Sequence, residues 1–205
     1  MAKILSGVAR TATGRVFDPV ARALLRAHIS PDAVTVAGTV GVVFGAVVFG
    51  ARGHLVAGTV VVTLSTFTDL IDGSMARQRG RAGRFGAFLD STMDRVADGA
   101  VIGAVTYWLA TQGRHWAAVA GLICLVTGQI VSYAKARAEG LGMTANVGVA
   151  ERFERLVLVG LGGLAEGFGL RYGLDVALWV LAVLSVITIG QRIAVVYQQD
   201  RRANP

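Results

Sequence analysis

The stretch Asp69-Leu-Ile-Asp72-Gly73-Ser-Met-Ala76-Arg77, followed by a basic connection and then Gly86-Ala-Phe-Leu-Asp90-Ser-Thr-Met-Asp94, sets four carboxylates into two largely apolar segments. On a helix, residues three or four apart share a face, so Asp69 pairs with Asp72 and Asp90 with Asp94. A tight connection centred near Arg81 would fold the chain back, bringing Asp72 level with Asp90 and Asp69 level with Asp94. The four acids then converge. A charge in mid-bilayer costs about 3 kcal/mol on insertion scales, so intramembrane acids mark function by default and need a positive partner. Oxygen donors suit hard divalent cations, and a pair of Mg²⁺ ions is the usual partner where phosphates are handled. The competing reading pairs some of the acids with Arg77, Arg84 or Arg95 as ion pairs at the membrane edge.

Working outward, the composition places this stretch in a bilayer. Of 205 residues, 54% are hydrophobic and only 16% charged, and the mean hydropathy is +0.59, too apolar for a water-soluble domain of this size. The expected fold class is an all-α integral membrane protein. The single cysteine, Cys124, excludes an internal disulfide and is expected to pack. Residues 1–30 are mixed and basic, without the pattern of a removable signal peptide. With 27 glycines against 3 prolines the chain suits close helix packing. No nucleic-acid partner is expected.

Six spanning helices are expected, over about 32–51, 54–77, 85–111, 116–138, 153–170 and 174–197. They form one domain, 31–205, preceded by an N-terminal region, 1–30. In that region residues 15–28 put Arg15, Arg22 and Arg26 on one side and Val16, Val20, Leu24 and Leu25 on another, the pattern of a helix lying in the interface. Ser30 and Pro31 predict a helix start, as N-cap and first helical residue. Of 20 basic residues only Arg52, Arg114 and Arg171 fall at the opposite ends of the spans, so both termini and the aspartates are expected at the cytoplasmic face of the cell membrane. Asp69, eight residues from Arg77, would lie roughly 12 Å along its helix. Trp108, Trp116, Trp179, Tyr107 and Tyr172 are expected as interfacial anchors. The steps Gly41-x-x-x-Gly45 and Gly99-x-x-x-Gly103 would seat neighbouring helices or a second subunit. His28, His54 and His115 lack the spacing of metal ligands.

Asp69, Asp72, Gly73, Ala76, Arg77, Gly86, Asp90 and Asp94 complete a pattern, Asp-x-x-Asp-Gly-x-x-Ala-Arg, eight residues, Gly-x-x-x-Asp-x-x-x-Asp, that resembles the signature of the CDP-alcohol phosphotransferases. That resemblance implies transfer of a phosphate-linked group from a CDP-alcohol to a second alcohol with release of CMP, and a homodimer. Carried onto this chain, it implies that Asp69, Asp72 and Asp90 hold two divalent ions, Mg²⁺ or Mn²⁺, and that Asp94 adds a ligand and serves as catalytic general base. The physical demands agree, because a diphosphate must be neutralised before a nucleophile approaches it. Gly73 and Ala76 would let the CDP moiety of a CDP-lipid reach the backbone, Arg77 would fork its phosphates, and Gly86 would clear room on the facing helix. Asp32 and Thr35 resemble the family's Pro-Asn/Asp-x-x-Thr element near the diphosphate, although a helix cap also explains Asp32.

The acceptor is read from cations. Lys135 and Arg137 end the fourth span, Arg155 opens the fifth, and Arg192 lies inside the sixth, where it needs a partner. An anionic acceptor phosphate bound by Lys135, Arg155 and Arg192, with Arg137 beside them, would supply one. Glu151 or Glu154 would pair with Arg155 or Arg152; Asp98 extends the spacing of Asp90 and Asp94 as a fifth acid of the metal site, with pairing to Arg95 or a neighbouring helix the favoured reading. The runs Lys-Ala-Arg-Ala-Glu, Glu-Arg-x-Glu-Arg-Leu and Gln-Arg resemble actinobacterial members of the family that join CDP-diacylglycerol to inositol 1-phosphate. Glycerol 3-phosphate, giving phosphatidylglycerophosphate, is the nearest alternative acceptor, and a divalent-cation transporter the remote alternative. The 141–150 loop carries no assignable chemistry.

Overall fold

Capping, glycine placement and apolar periodicity account for most of the elements. The computed structural model describes residues 17–79 and 83–203, and among them every regular element is helical. Residues 17–26 form α1. α2, Pro31–Phe44, starts as expected: Ser30 caps it by accepting from Ala33 N (3.1 Å), and Pro31 stands at its first position. It runs on through a π turn, Gly45–Phe49, and a 3₁₀ turn, Gly50–Arg52. Gly53 ends it with φ +81°, and a Cβ there would stand 2.5 Å from Trp108 Nε1. Only glycine meets both conditions.

The span expected over 54–77 is present as the helical stretch Leu55–Gln78, interrupted at the single residue Phe67 into α3, Leu55–Thr66, and α4, Thr68–Gln78. At the interruption the Thr68 hydroxyl donates to Ser65 O (2.6 Å). α5, Arg84–Thr111, α6, His115–Gly140, α7, Arg152–Gly167, and α8, Gly173–Ala203, complete the order. The turn centred on Arg81, and the reading of Arg15 and Val16, lie outside the described residues.

The helices sort into two compact units, whose boundaries fall within α3 and α5. One unit holds the described residues up to Gly45 with Val60–Ala97. In it α2 packs on α4. A Cβ on Gly38 would overlap Thr68 and one on Gly41 would overlap Ser65, so small residues bring the two helices together. α1 joins through buried Ala21, which packs with Val34 and Met75. Ser74 donates to Asp18 Oδ1 (2.5 Å). Val20, expected on the apolar side of α1, is exposed, and Ala21 takes the inward position.

The other unit holds Ala46–Thr59 and the chain from Asp98 onward. Here α8 packs on α6 and α7 around fully buried Leu174, Leu178, Leu181 and Cys124. Cys124 is a packing residue, as expected. Arg114 ties the α5–α6 turn to the α7–α8 turn, with a two-pronged bond to Glu166 (2.7 and 3.2 Å) and a pairing to Asp175, while its guanidinium lies over Trp108 and Tyr172. Exposed apolar stripes, Leu122, Val126 and Ile130 on α6 and Val176, Val180, Val183 and Ile187 on α8, face outward as lipid-exposed helices require.

Four helical stretches among the described residues are long and apolar enough to cross a membrane: Pro31–Arg52, Leu55–Gln78, His115–Gly140 and Gly173–Ala203. α5 falls outside that set because Asp90, Asp94, Arg95 and Asp98 lower its apolarity. α7, at 16 residues, is shorter than the roughly 20 a bilayer asks for.

Candidate active site

The signature residues all belong to the first unit. Asp69 stands in the first turn of α4, Asp72 one turn on, and Asp90 and Asp94 in the first half of α5. The α3–α4 interruption at Phe67 lies two residues before Asp69. Asp72 is buried, and its Oδ2 accepts a 2.6 Å bond from the Thr35 hydroxyl on α2. Asp69 and Asp90 both lie near enough to Asp72 to repel its carboxylate electrostatically. Asp90 is exposed and Asp94 half-buried, with Arg95 Nη2 at 3.4 Å from Asp94 Oδ2.

Asp72 thus feels the charge of Asp90 on the next helix. Among the described residues, however, no three Asp, Glu, His or Cys side chains already form a group that could hold a metal ion. Fit to a cation thus rests on chemistry: hard oxygen donors on α4 and α5, one of them buried and oriented by a hydroxyl, match Mg²⁺ or Mn²⁺ in ligand type.

The donor-side residues are arranged around the same helices. Arg77 lies beside Gly73, with Nη1 3.5 Å from where a Cβ would stand. Gly86 brings the start of α5 to the start of α2: a Cβ there would lie 3.3 Å from Asp32 Oδ1. Asp32 thus faces Gly86 from the first turn of α2, and Ala76 lies half-buried on α4 beside Arg77.

The four cations assigned to the acceptor all belong to the second unit. Arg192 is 3% exposed and fully engaged within the chain. Its Nη2 donates to Glu151 Oε1 (2.8 Å), its Nε to Val147 O (2.9 Å) and its Nη1 to Val131 O. The partner that sequence reasoning sought for it in a phosphate is supplied here by Glu151. Arg155, 2% exposed, pairs with Asp98 and donates to Ala150 O (3.3 Å). It also lies close enough to Arg192 for the two cations to repel. Lys135 is half-buried and Arg137 exposed, both near the C-terminal end of α6.

Asp98 meets its expectation of a partner on a neighbouring helix, α7, with Arg152 Nε 3.7 Å away as a second cation. Sequence reasoning missed the Thr35–Asp72 bond and the Glu151–Arg192 pairing. Neither had a signal in the sequence, since the partners lie 37 and 41 positions apart.

A helical membrane protein with a carboxylate cluster on adjacent helices and a separate set of buried guanidiniums has the parts of a phosphoryl-group transferase. The model of the CDP-alcohol phosphatidyltransferase family matches residues 28–190, and the chain belongs to that family. Among its relatives, phosphatidylinositol phosphate synthase of Streptomyces avermitilis is 46% identical over 209 residues, covering 98% of this chain and 86% of the relative. The enzyme of the same name from Mycobacteroides abscessus is 46% identical over 191 residues, covering 92% and 87%. The crystal structure of Mycobacterium tuberculosis phosphatidylinositol phosphate synthase with CDP-DAG bound superposes with TM-score 0.86 at 45% identity, over 89% of this chain and 94% of that one. The same enzyme in complex with manganese and citrate gives TM-score 0.84 at 45% identity, covering 87% and 88%.

Proposed function

We propose that the protein transfers the phosphatidyl group of CDP-diacylglycerol to inositol 1-phosphate, giving phosphatidylinositol phosphate and CMP. The observation that carries this is the buried Asp72, held by Thr35 and flanked by Asp69 and Asp90, in a chain whose relatives bear the synthase name. Two divalent ions, Mg²⁺ or Mn²⁺, held by Asp69, Asp72, Asp90 and Asp94, would neutralise the CDP-lipid diphosphate. Asp94 takes the proton of the acceptor hydroxyl; its half-buried position leaves it reachable. Asp32, Thr35, Gly73, Ala76, Arg77 and Gly86 bind the CDP moiety, with Arg77 on the phosphates. Lys135, Arg155 and Arg192 bind the acceptor phosphate, with Arg137 at the edge. In support, Arg155 and Arg192 lie near each other although they come from different helices.

The topology belongs to the same proposal. α5 and α7 complete six spans, α1 lies in the interface, and the N-terminal region 1–30 precedes a single transmembrane domain, 31–205. Both termini and the aspartates face the cytoplasm, by the excess of basic residues at that side. The enzyme works as a homodimer, a reading supported by Gly99 and Gly103: a Cβ on either would meet nothing within 4 Å, so this small-residue step is not used by packing among the described residues.

The test is CMP release by purified protein with Mg²⁺ and CDP-diacylglycerol, offered inositol 1-phosphate, free inositol or glycerol 3-phosphate separately. Turnover with inositol 1-phosphate alone is expected. Turnover only with glycerol 3-phosphate would keep the reaction and overturn the acceptor, and no turnover with any would overturn both.

A further inference from the structure

The Arg192 site holds a carboxylate whose position is unusual for its place in the sequence. Glu151 is the N-cap residue of α7, yet its side chain makes no capping bond. Instead the carboxylate turns to α8 and accepts from Arg192 Nη2 at 2.8 Å. The two partners are unequal in burial, 3% exposure for the arginine side chain against 48% for the glutamate. The cation is therefore locked and the anion is held at its rim.

The backbone beside Glu151 is fixed as well. Val149 N and Ala150 N both donate to Thr188 Oγ1 (3.1 and 3.0 Å), and Gly148, with φ +145°, packs so closely on Thr188 that a Cβ would overlap it. Val147 O is tied to Arg192 itself. The half-exposed Glu151 side chain is thus the part of this arrangement that can turn away without moving the chain. Asp98 offers the contrast: it is buried with Arg155 on both sides of the pair, 6% and 2% exposed, and has no route out.

Electrostatics favours an exchange. Arg192 has a second guanidinium, Arg155, close enough to repel it; Asp98 is committed to Arg155, so the carboxylate bonded to Arg192 is Glu151. A phosphomonoester brings about two negative charges and three acceptor oxygens where Glu151 brings one charge. A neutral alcohol brings none and cannot compensate a buried guanidinium deprived of its acid.

Resting on the acceptor assignment above, we infer that Glu151 is a displaceable ligand of Arg192 that sets acceptor specificity: its carboxylate swings out when a phosphomonoester takes the guanidinium, and stays in place against neutral acceptors. It is a specificity-determining residue, not a catalytic one.

The test compares wild type with Glu151→Gln, which keeps the shape and the hydrogen-bond acceptor but removes the competing charge. The KM for inositol 1-phosphate, and the concentration of inorganic phosphate that protects the purified protein from thermal unfolding, are each expected to fall roughly two- to fivefold, the worth of a partly exposed ion pair. The KM for CDP-diacylglycerol is expected to stay within about twofold on the same ground. A purely structural Glu151 predicts the reverse, a raised acceptor KM and weaker phosphate protection, and that result overturns the inference, as does no change in either. Glu151→Asp, too short to reach Arg192 from this backbone but still charged, is expected to move both readouts in the same direction as Gln and decides the matter if the Gln variant fails to fold. Absence of turnover with inositol 1-phosphate by wild type would instead sink the acceptor assignment, and the phosphate-protection arm, which needs no catalysis, would still judge Glu151.

Discussion

At the scale of single residues, the Thr35–Asp72 bond does the most to shape the candidate site. A buried carboxylate needs its lone pairs satisfied, and a hydroxyl from α2 both satisfies one and fixes the direction of the rest. Thr35→Val removes the donor at nearly constant volume and is expected to lower turnover by about 10- to 100-fold, the usual cost of losing a residue that orients a metal ligand. Thr35→Ser, which keeps the hydroxyl, is expected to retain most of it. Steady-state CMP release and a Mg²⁺ titration measure both. Asp94→Asn is expected to abolish transfer while Mn²⁺ binding, followed by isothermal titration, persists through Asp69, Asp72 and Asp90. An active Asn variant would remove the general base from Asp94. These carboxylates were legible in the sequence because acids have no place in apolar helices without a task; the hydroxyl was not, because threonines on helices usually bond their own backbone.

At the scale of elements, the 141–151 segment shows how a loop without sequence chemistry acquires a role. Thr188 on α8 receives two backbone amides from it and donates its own proton back to Leu184 O (2.8 Å). Thr188→Val leaves both amides without an acceptor. The expected loss is about 1–3 kcal/mol for a buried group left unsatisfied, read as a lowered unfolding temperature in detergent, with the acceptor KM raised because Val147 and Glu151 lose their footing beside Arg192. An unchanged acceptor KM would mean that the loop does not organise that arginine. The division of α3 from α4 belongs to this scale too. Periodicity predicts one span across 54–77, and the helical stretch Leu55–Gln78 meets it apart from the interruption at Phe67.

At the scale of the whole molecule, the number of membrane crossings decides which surfaces meet which solution. Four stretches qualify by length and apolarity, and the proposal adds α5 and α7. The two arrangements differ at the α5–α6 turn: with six crossings Gln112 faces away from the cytoplasm, and with four it faces the cytoplasm. Gln112→Cys is expected to react with a membrane-impermeant maleimide from outside intact cells stripped of their outer layers, and Gln199→Cys only after permeabilisation. Cys124 is fully buried, so the native thiol adds no background. Labelling of Gln112→Cys only after permeabilisation would return the chain to four crossings, with α5 on the cytoplasmic face and α7 on the opposite one.

The sequence by itself determined the class of the chain, the place of most helices, the cap at Ser30 and the presence of acids within apolar helices, because these follow from hydropathy, spacing and the cost of charge in a bilayer. It also marked Arg155 and Arg192 as cations needing partners. Which partner each received was decided by tertiary structure alone: Asp98 for Arg155, Glu151 for Arg192, Thr35 for Asp72. Each of those bonds joins residues between 37 and 57 positions apart, and helix packing, set by where glycine lets backbones approach, chooses among several partners that the sequence leaves equally plausible.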